Sequence, residues 1–276
     1  MITLEKTERW LLTAILLMLA LAIFGPVVLQ PTHQHDFADQ RFLGYFPFAA
    51  DVLSNLPFAV WGCIGLVALK RFAKTKRMDG LPLAPQQVGL VALFFGGLVL
   101  TAGASSWYHL QPNDASLAID RLGMSVAFAG LLGLAAADRA SLRAGVLLSH
   151  LVLLLGAVSI WFWSMSGNIL PWLVLQFGGM LLILWLAALK PLPGALAVRW
   201  SVVILLYATA KVFELADHAV YDLSAHLVSG HSLKHIVASL AAWPVIAALN
   251  PAFLAYRCES SFASPKARQN LKLFVK

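Results

Sequence analysis

Long apolar runs alternate with short polar connections along this chain, and the lengths of the runs decide its class. The first run extends from about Trp10 to Leu29 and includes Phe24-Gly25-Pro26 near its end. A cleaved signal peptide has a shorter apolar region of roughly 7–15 residues followed by a small-x-small site, so this run is expected to be a retained helix. Seven more runs follow, at about Phe46–Leu69, Gln87–His109, Ala115–Ala137, Leu142–Met165, Leu170–Leu189, Leu196–His218 and His231–Tyr256. Each is near the roughly 20 residues with which an α-helix crosses a bilayer. None has the short alternating segments of a membrane β-barrel. The pattern predicts an all-α polytopic bundle of eight helices: an N-terminal helix and outer loop over residues 1–45, a seven-helix core over 46–256, and a basic tail over 257–276.

Composition agrees, with 60% hydrophobic and only 12% charged residues, against about a quarter charged in soluble domains. The net charge of +7 resembles a nucleic-acid signal until the charges are located. Lys70-Arg71-Phe72-Ala73-Lys74-Thr75-Lys76-Arg77 carries five positive charges in eight residues, which places that loop in the cytoplasm by the positive-inside rule. By alternation the loops holding Arg139 with Arg143, and Lys190 with Arg199, fall on the same side, as do both termini. The opposite connections Gln111–Asp114, Ser166–Ile169 and Tyr221–Gly230 contain no Lys or Arg. The charge is therefore a topology signal, and no nucleic-acid partner is expected. The tail from Arg257 to Lys276 either lies on the anionic inner leaflet or is solvated. Cys63 and Cys258 alone make neither a disulfide framework nor a cysteine metal site, so any metal must use His, Asp or Glu.

Titratable groups inside membrane helices are costly and mark functional positions. His231 and His235, four positions apart at the start of the last run, lie roughly 40° apart on a helix, so both reach one point beside it. On its own this spacing is also met by two interfacial or core histidines. His109 ends the third run on the same outer side, and three neutral imidazoles with an open position are a catalytic zinc set. Ser105 lies four residues before His109, on the same helix face. Its hydroxyl either donates to a metal-bound water or a developing oxyanion, or bonds back to the carbonyl four residues earlier, as is frequent in membrane helices. Asp120 follows His109 by 11 residues across a tight turn. It is placed to take a proton from metal-activated water and pass it to a leaving group, as a general base. Adjacent helical residues do not face each other, so Asp120 serves the interior and Arg121 reaches another partner.

Asp51, Ser54 and Asn55 share a face in the second run, where they either orient a histidine ligand or fasten helix to helix. Lys211, Glu214 and His218 share a face at the end of the seventh, where Asp217 also lies, and a Lys–Glu pair there most simply neutralises itself. Those groups also suit an ion-coupled transporter, although no inverted repeat or broken helix accompanies them. A receptor or lipid sensor with a structural metal is a further alternative. His150 stands alone in the cytoplasmic half of its run, and His33, His35 and His226 fall in outer loops where solvation is expected.

Taken together, Ser105-x-x-x-His109, Asp120, Asp51-x-x-Ser54-Asn55 and His231-x-x-x-His235 resemble the alkaline ceramidase family, part of a superfamily of seven-helix membrane hydrolases that includes adiponectin-receptor-like proteins. Lys211-x-x-Glu214-x-x-Asp217 before Ser229-Gly230-His231, and Ala38-Asp39-Gln40-Arg41, resemble bacterial members in particular. The resemblance covers about Phe46 to Tyr256. It implies a zinc ion (Zn2+) held by His109, His231 and His235, catalytic support from Ser105 and Asp120, and hydrolysis of a ceramide-like membrane lipid amide to a sphingoid base and a fatty acid. The likeness to bacterial members implies an inner-membrane protein, and the loop charges then put the expected zinc site towards the periplasm. Eukaryotic members carry an acidic calcium-binding N-terminal segment. Here Phe48 stands at the place of its last acidic ligand and Asp36 and Asp39 are weak substitutes, so calcium is not expected. The first helix is an addition to the seven-helix pattern.

Overall fold

The structure is a computed structural model that describes residues 4–73, 83–196 and 198–249. Among these residues the chain is an all-α bundle with no strand, only isolated bridges pairing Leu29 with Asn168 and Leu43 with Phe46. Among the described residues six helices are long and apolar enough to cross a membrane: α1 (Lys6–Phe24), α2 (Ala49–Phe72), α3 (Pro85–Leu110), α4 (Asp114–Arg139), α5 (Leu142–Ser166) and α6 (Leu170–Ala188). They are followed by α7 (Trp200–Leu215), α8 (Asp217–Leu223), α9 (Gly230–Ser239), a 3-10 turn at Leu240–Ala242 and α10 (Trp243–Ala248). The expected basic tail, and the last seven residues of the expected eighth run, 250–256, lie outside the described residues.

Several boundaries differ from expectation for local reasons. α1 begins at Lys6 and stops at Phe24, because Pro26 disfavours helical geometry at Gly25, which is extended. α2 breaks at Ser54-Asn55, since Pro57 lacks an N–H and its ring crowds the carbonyl of Leu53. The freed Asp51 carbonyl accepts from both the Ser54 hydroxyl and the Asn55 amide, each at 2.9 Å. The expected seventh run ends at Leu215, where Ala216 (φ −101, ψ 23) leaves the helix. His218 therefore does not share a face with Lys211 and Glu214, and instead approaches the Asp36 carbonyl at 3.2 Å.

α4 is the most buried of the six and α1 the most exposed. Small residues bring α3, α4 and α5 close together, as in membrane bundles where backbones must approach to gain packing. A Cβ on Gly97 would lie 2.3 Å from the Ala127 nitrogen, one on Gly130 2.2 Å from the Phe94 nitrogen, and one on Gly145 2.5 Å from the Gly133 oxygen. This antiparallel trio fixes the depth of the last turn of α3 against the first turns of α4. The beginning of α9 packs at that same end of the bundle.

Candidate metal centre

His109 on the last turn of α3 meets His231 and His235 on the first turns of α9. All three are buried, and one nitrogen from each lies within 4.8 Å of the others. Ring centroids are 4.8 Å apart for His109–His231 and for His231–His235, and 5.0 Å for His109–His235. The sequence-level expectation that two helices bring three imidazoles to one point holds.

The start of α9 is fastened from three sides. Ser229 caps it, accepting from the Ser232 backbone N–H at 3.0 Å, and Asp217 Oδ1 accepts from the His231 N–H at 2.8 Å. Asp51 Oδ1, from α2, accepts hydroxyls of Ser232 at 2.6 Å and Ser229 at 3.2 Å. Gly230 is required by packing, because a Cβ there would lie 2.3 Å from the Phe213 carbonyl oxygen of α7. Ser54, one turn along from Asp51, sits 2.8 Å from His235 Nδ1. Its single proton goes to the Asp51 carbonyl, so Nδ1–H donates to Ser54 and the lone pair of His235 is left on Nε2. Of the two roles open to the Asp51 group, Ser54 orients a histidine and Asp51 fastens helix to helix. Asn55 supports the break in α2.

The three histidines fit a metal ion. Both ring nitrogens of His109 are buried without a hydrogen-bond partner, at a cost of about 1–3 kcal/mol per unmet group, and ligation through one of them would supply one of the two missing partners. The three candidate ligand atoms lie within 4.8 Å of one another, close enough for His109, His231 and His235 to share one ion. The donor set is all imidazole, with no protein carboxylate or thiolate among the three.

Beside it lies a cavity of about 700 Å³, within the range of ligand sites. Ser105, Asp120, His231, Lys234 and His235 line its polar part, and Phe94, Leu98, Phe128, Leu131 and Trp172 its apolar part. Asp120 is buried, with Oδ1 unpartnered and its carboxylate within hydrogen-bonding reach of Ser105. The Arg121 guanidinium turns away, 4.2 Å above the Trp163 ring and 2.9 Å from Gln30 Oε1. Glu214 bridges two lysines, bonding Lys211 through Oε2 and Lys234 through Oε1 at 3.3 Å. Asp217 is outside this pair: its second oxygen accepts from the Ala38 N–H at 3.0 Å. Among the other histidines, His150 is exposed and bonded to its own helix, and His35 is not simply solvated, its Nδ1 lying 2.9 Å from the Tyr108 hydroxyl.

Two contributors were missed from sequence. Phe37, in the loop before α2, is buried with its ring centroid 4.6 Å from both His109 and His231. The loop is clasped by Arg41, which binds Asp39 through Nε (2.8 Å) and Nη2 (2.5 Å) and reaches the Leu227 carbonyl at 2.9 Å. Burial alone would raise the Asp39 carboxyl, but the hydrogen bonds and charge of Arg41 outweigh it and hold Asp39 below the usual carboxylate range. Lys234 is the second, its Nζ 2.9 Å from His231 Nε2. Its place three residues after His231 was the available signal. Compared with known proteins, the sequence matches no protein-family model and no curated protein.

Proposed function

We propose that the chain is a zinc-dependent intramembrane hydrolase of lipid amides, acting on ceramide or a ceramide-like N-acyl lipid and releasing a sphingoid base or other amine and a free fatty acid. One observation carries the reading: the three-histidine cluster adjoins the polar end of a largely apolar cavity that also holds a carboxylate and a hydroxyl. The resemblance of these same residues to alkaline ceramidases supports it. His109, His231 and His235 would hold the ion.

When bound, zinc with three imidazole ligands acidifies water and polarises a carbonyl. Asp120 takes one proton from the attacking water. As the water oxygen bonds to the carbonyl carbon and the C–N bond breaks, Asp120 passes that proton to the departing nitrogen, so that amide and water become acid and amine. Ser105 donates its hydroxyl to the oxyanion that develops on the carbonyl oxygen. Ser54 keeps the His235 lone pair directed at the ion, and the Phe94, Phe128 and Trp172 walls hold the acyl chain and exclude water. The charged loops of the sequence support a site towards the periplasmic side, and the resemblance to bacterial members supports an inner membrane, with the lipid arriving laterally from the outer leaflet.

The test is a panel of lipid amides incubated with purified, zinc-loaded protein, with fatty-acid release followed by mass spectrometry. Wild type is expected to release acid, and Asp120→Asn to fall by about 10²–10⁴ while keeping its zinc. Failure of wild type to cleave any member of the panel, or full activity of Asp120→Asn, overturns the reading.

A further inference from the structure

Lys234 stands between two of the histidines in sequence and against one of them in space. Its ammonium has three protons and no lone pair, so at 2.9 Å it donates to His231 Nε2. A second proton goes to Glu214 Oε1 at 3.3 Å, and Glu214 is itself held by Lys211. The side chain is only partly exposed and faces the cavity that Ser105 and Asp120 also line.

A neutral imidazole has one nitrogen with a free lone pair. If His231 ligates a metal through Nε2, that lone pair is taken and Lys234 loses its acceptor. If it ligates through Nδ1, Nε2 carries the ring proton and again cannot accept from an ammonium. Metal ligation and the Lys234–His231 bond exclude each other on either nitrogen. The competing bond and the positive charge both oppose loading, while the Lys234 bond to Glu214 Oε1 involves neither nitrogen of His231.

We propose that metal loading displaces Lys234 from His231 and turns its ammonium onto the carbonyl oxygen of the bound amide, making Lys234 a catalytic residue that stabilises the oxyanion together with Ser105. The first half concerns this chain and its metal alone; the second rests on the hydrolase reading. No bond beyond those of the hydrolysis itself is made or broken, since Lys234 contributes hydrogen bonds and charge and gives up no proton.

The two halves predict opposite effects of one substitution. In a competition titration of purified protein against a chromophoric zinc chelator, Lys234→Met is expected to bind zinc about tenfold more tightly than wild type, on the scale of changes at outer partners of metal ligands. In the lipid-amide assay the same variant is expected to lose about 10²–10³ in kcat, with KM little changed. Lys234→Gln, which retains an uncharged donor one bond shorter, should fall between wild type and Lys234→Met, and an unchanged size-exclusion profile checks folding. Zinc affinity that is unchanged or weaker in Lys234→Met overturns the displacement, because a merely structural lysine would lower affinity and activity together. Tighter zinc with undiminished hydrolysis overturns the catalytic role. A wild type that holds zinc but cleaves no lipid amide overturns the hydrolase reading and the catalytic half, while the affinity comparison still decides the first half.

Discussion

Replacing Phe37 with alanine tests how the metal centre is kept from water. The ring packs against both His109 and His231 at 4.6 Å and is almost fully buried, so its loss leaves a void directly over the ligands. Phe→Ala substitutions in packed sites cost about 3–5 kcal/mol. The lower end applies here, because the bonds of Ala38 to Asp217 and of Arg41 to Asp39 and Leu227 still hold the loop. If a chelator reaches the metal by opening of this loop, about 3 kcal/mol less closing energy makes the open form roughly a hundredfold more populated, at about 1.4 kcal/mol per factor of ten. The assay is zinc remaining after timed exposure of the detergent-solubilised protein to excess EDTA, read by elemental analysis after desalting. Phe37→Ala should lose zinc about a hundredfold faster, with Phe37→Leu close to wild type. Loss from Phe37→Ala at the wild-type rate would refute the reasoning and put the route through the cavity instead.

Three further outcomes follow from particular contacts. Ser54→Ala removes the partner of His235 Nδ1 and should weaken zinc binding by about 10–100-fold in a competition titration. Gly230→Ala forces a Cβ to 2.3 Å from the Phe213 carbonyl, so α9 must shift. A cost of about 1–3 kcal/mol should appear as a lower thermal midpoint and reduced zinc stoichiometry. The Asp39–Arg41 clasp has a defined pH range: with the folded-state Asp39 depressed, its contribution is present above the unfolded-state value near 3.9 and lost as pH falls through the lower folded-state value. EDTA extraction should therefore be insensitive to pH from neutrality to mild acidity in this respect, whereas Arg41→Ala should speed it at neutral pH.

What was legible in the sequence followed from periodicity and charge. Run lengths identified the bundle, and the positive loops put His109, Asp120 and the His231–His235 pair at one end of it, because helix order and depth suffice to decide that. The second run reads as continuous from Phe46 to Leu69, and its interruption at Ser54-Asn55 follows from Pro57. What escaped depended on contacts between distant segments. Ser54 and His235 are 181 residues apart, and no local rule pairs them. Phe37 reads as a lone apolar residue in a polar loop, and only the folding of that loop over α3 and α9 makes it a cover. Lys234 lies three positions after His231 and so shares its side of the helix, but its contact with Glu214 of α7 depends on the fold. His218 was placed with Lys211 and Glu214 on the assumption of a continuous helix, which Ala216 interrupts.

The central claim is that His109, His231 and His235 together hold a catalytic metal, and elemental analysis of purified protein tests it most directly. Wild type should carry about one zinc per chain, with His109→Ala and His235→Ala each near zero and still monodisperse. Retention of stoichiometric zinc by either variant would contradict the account.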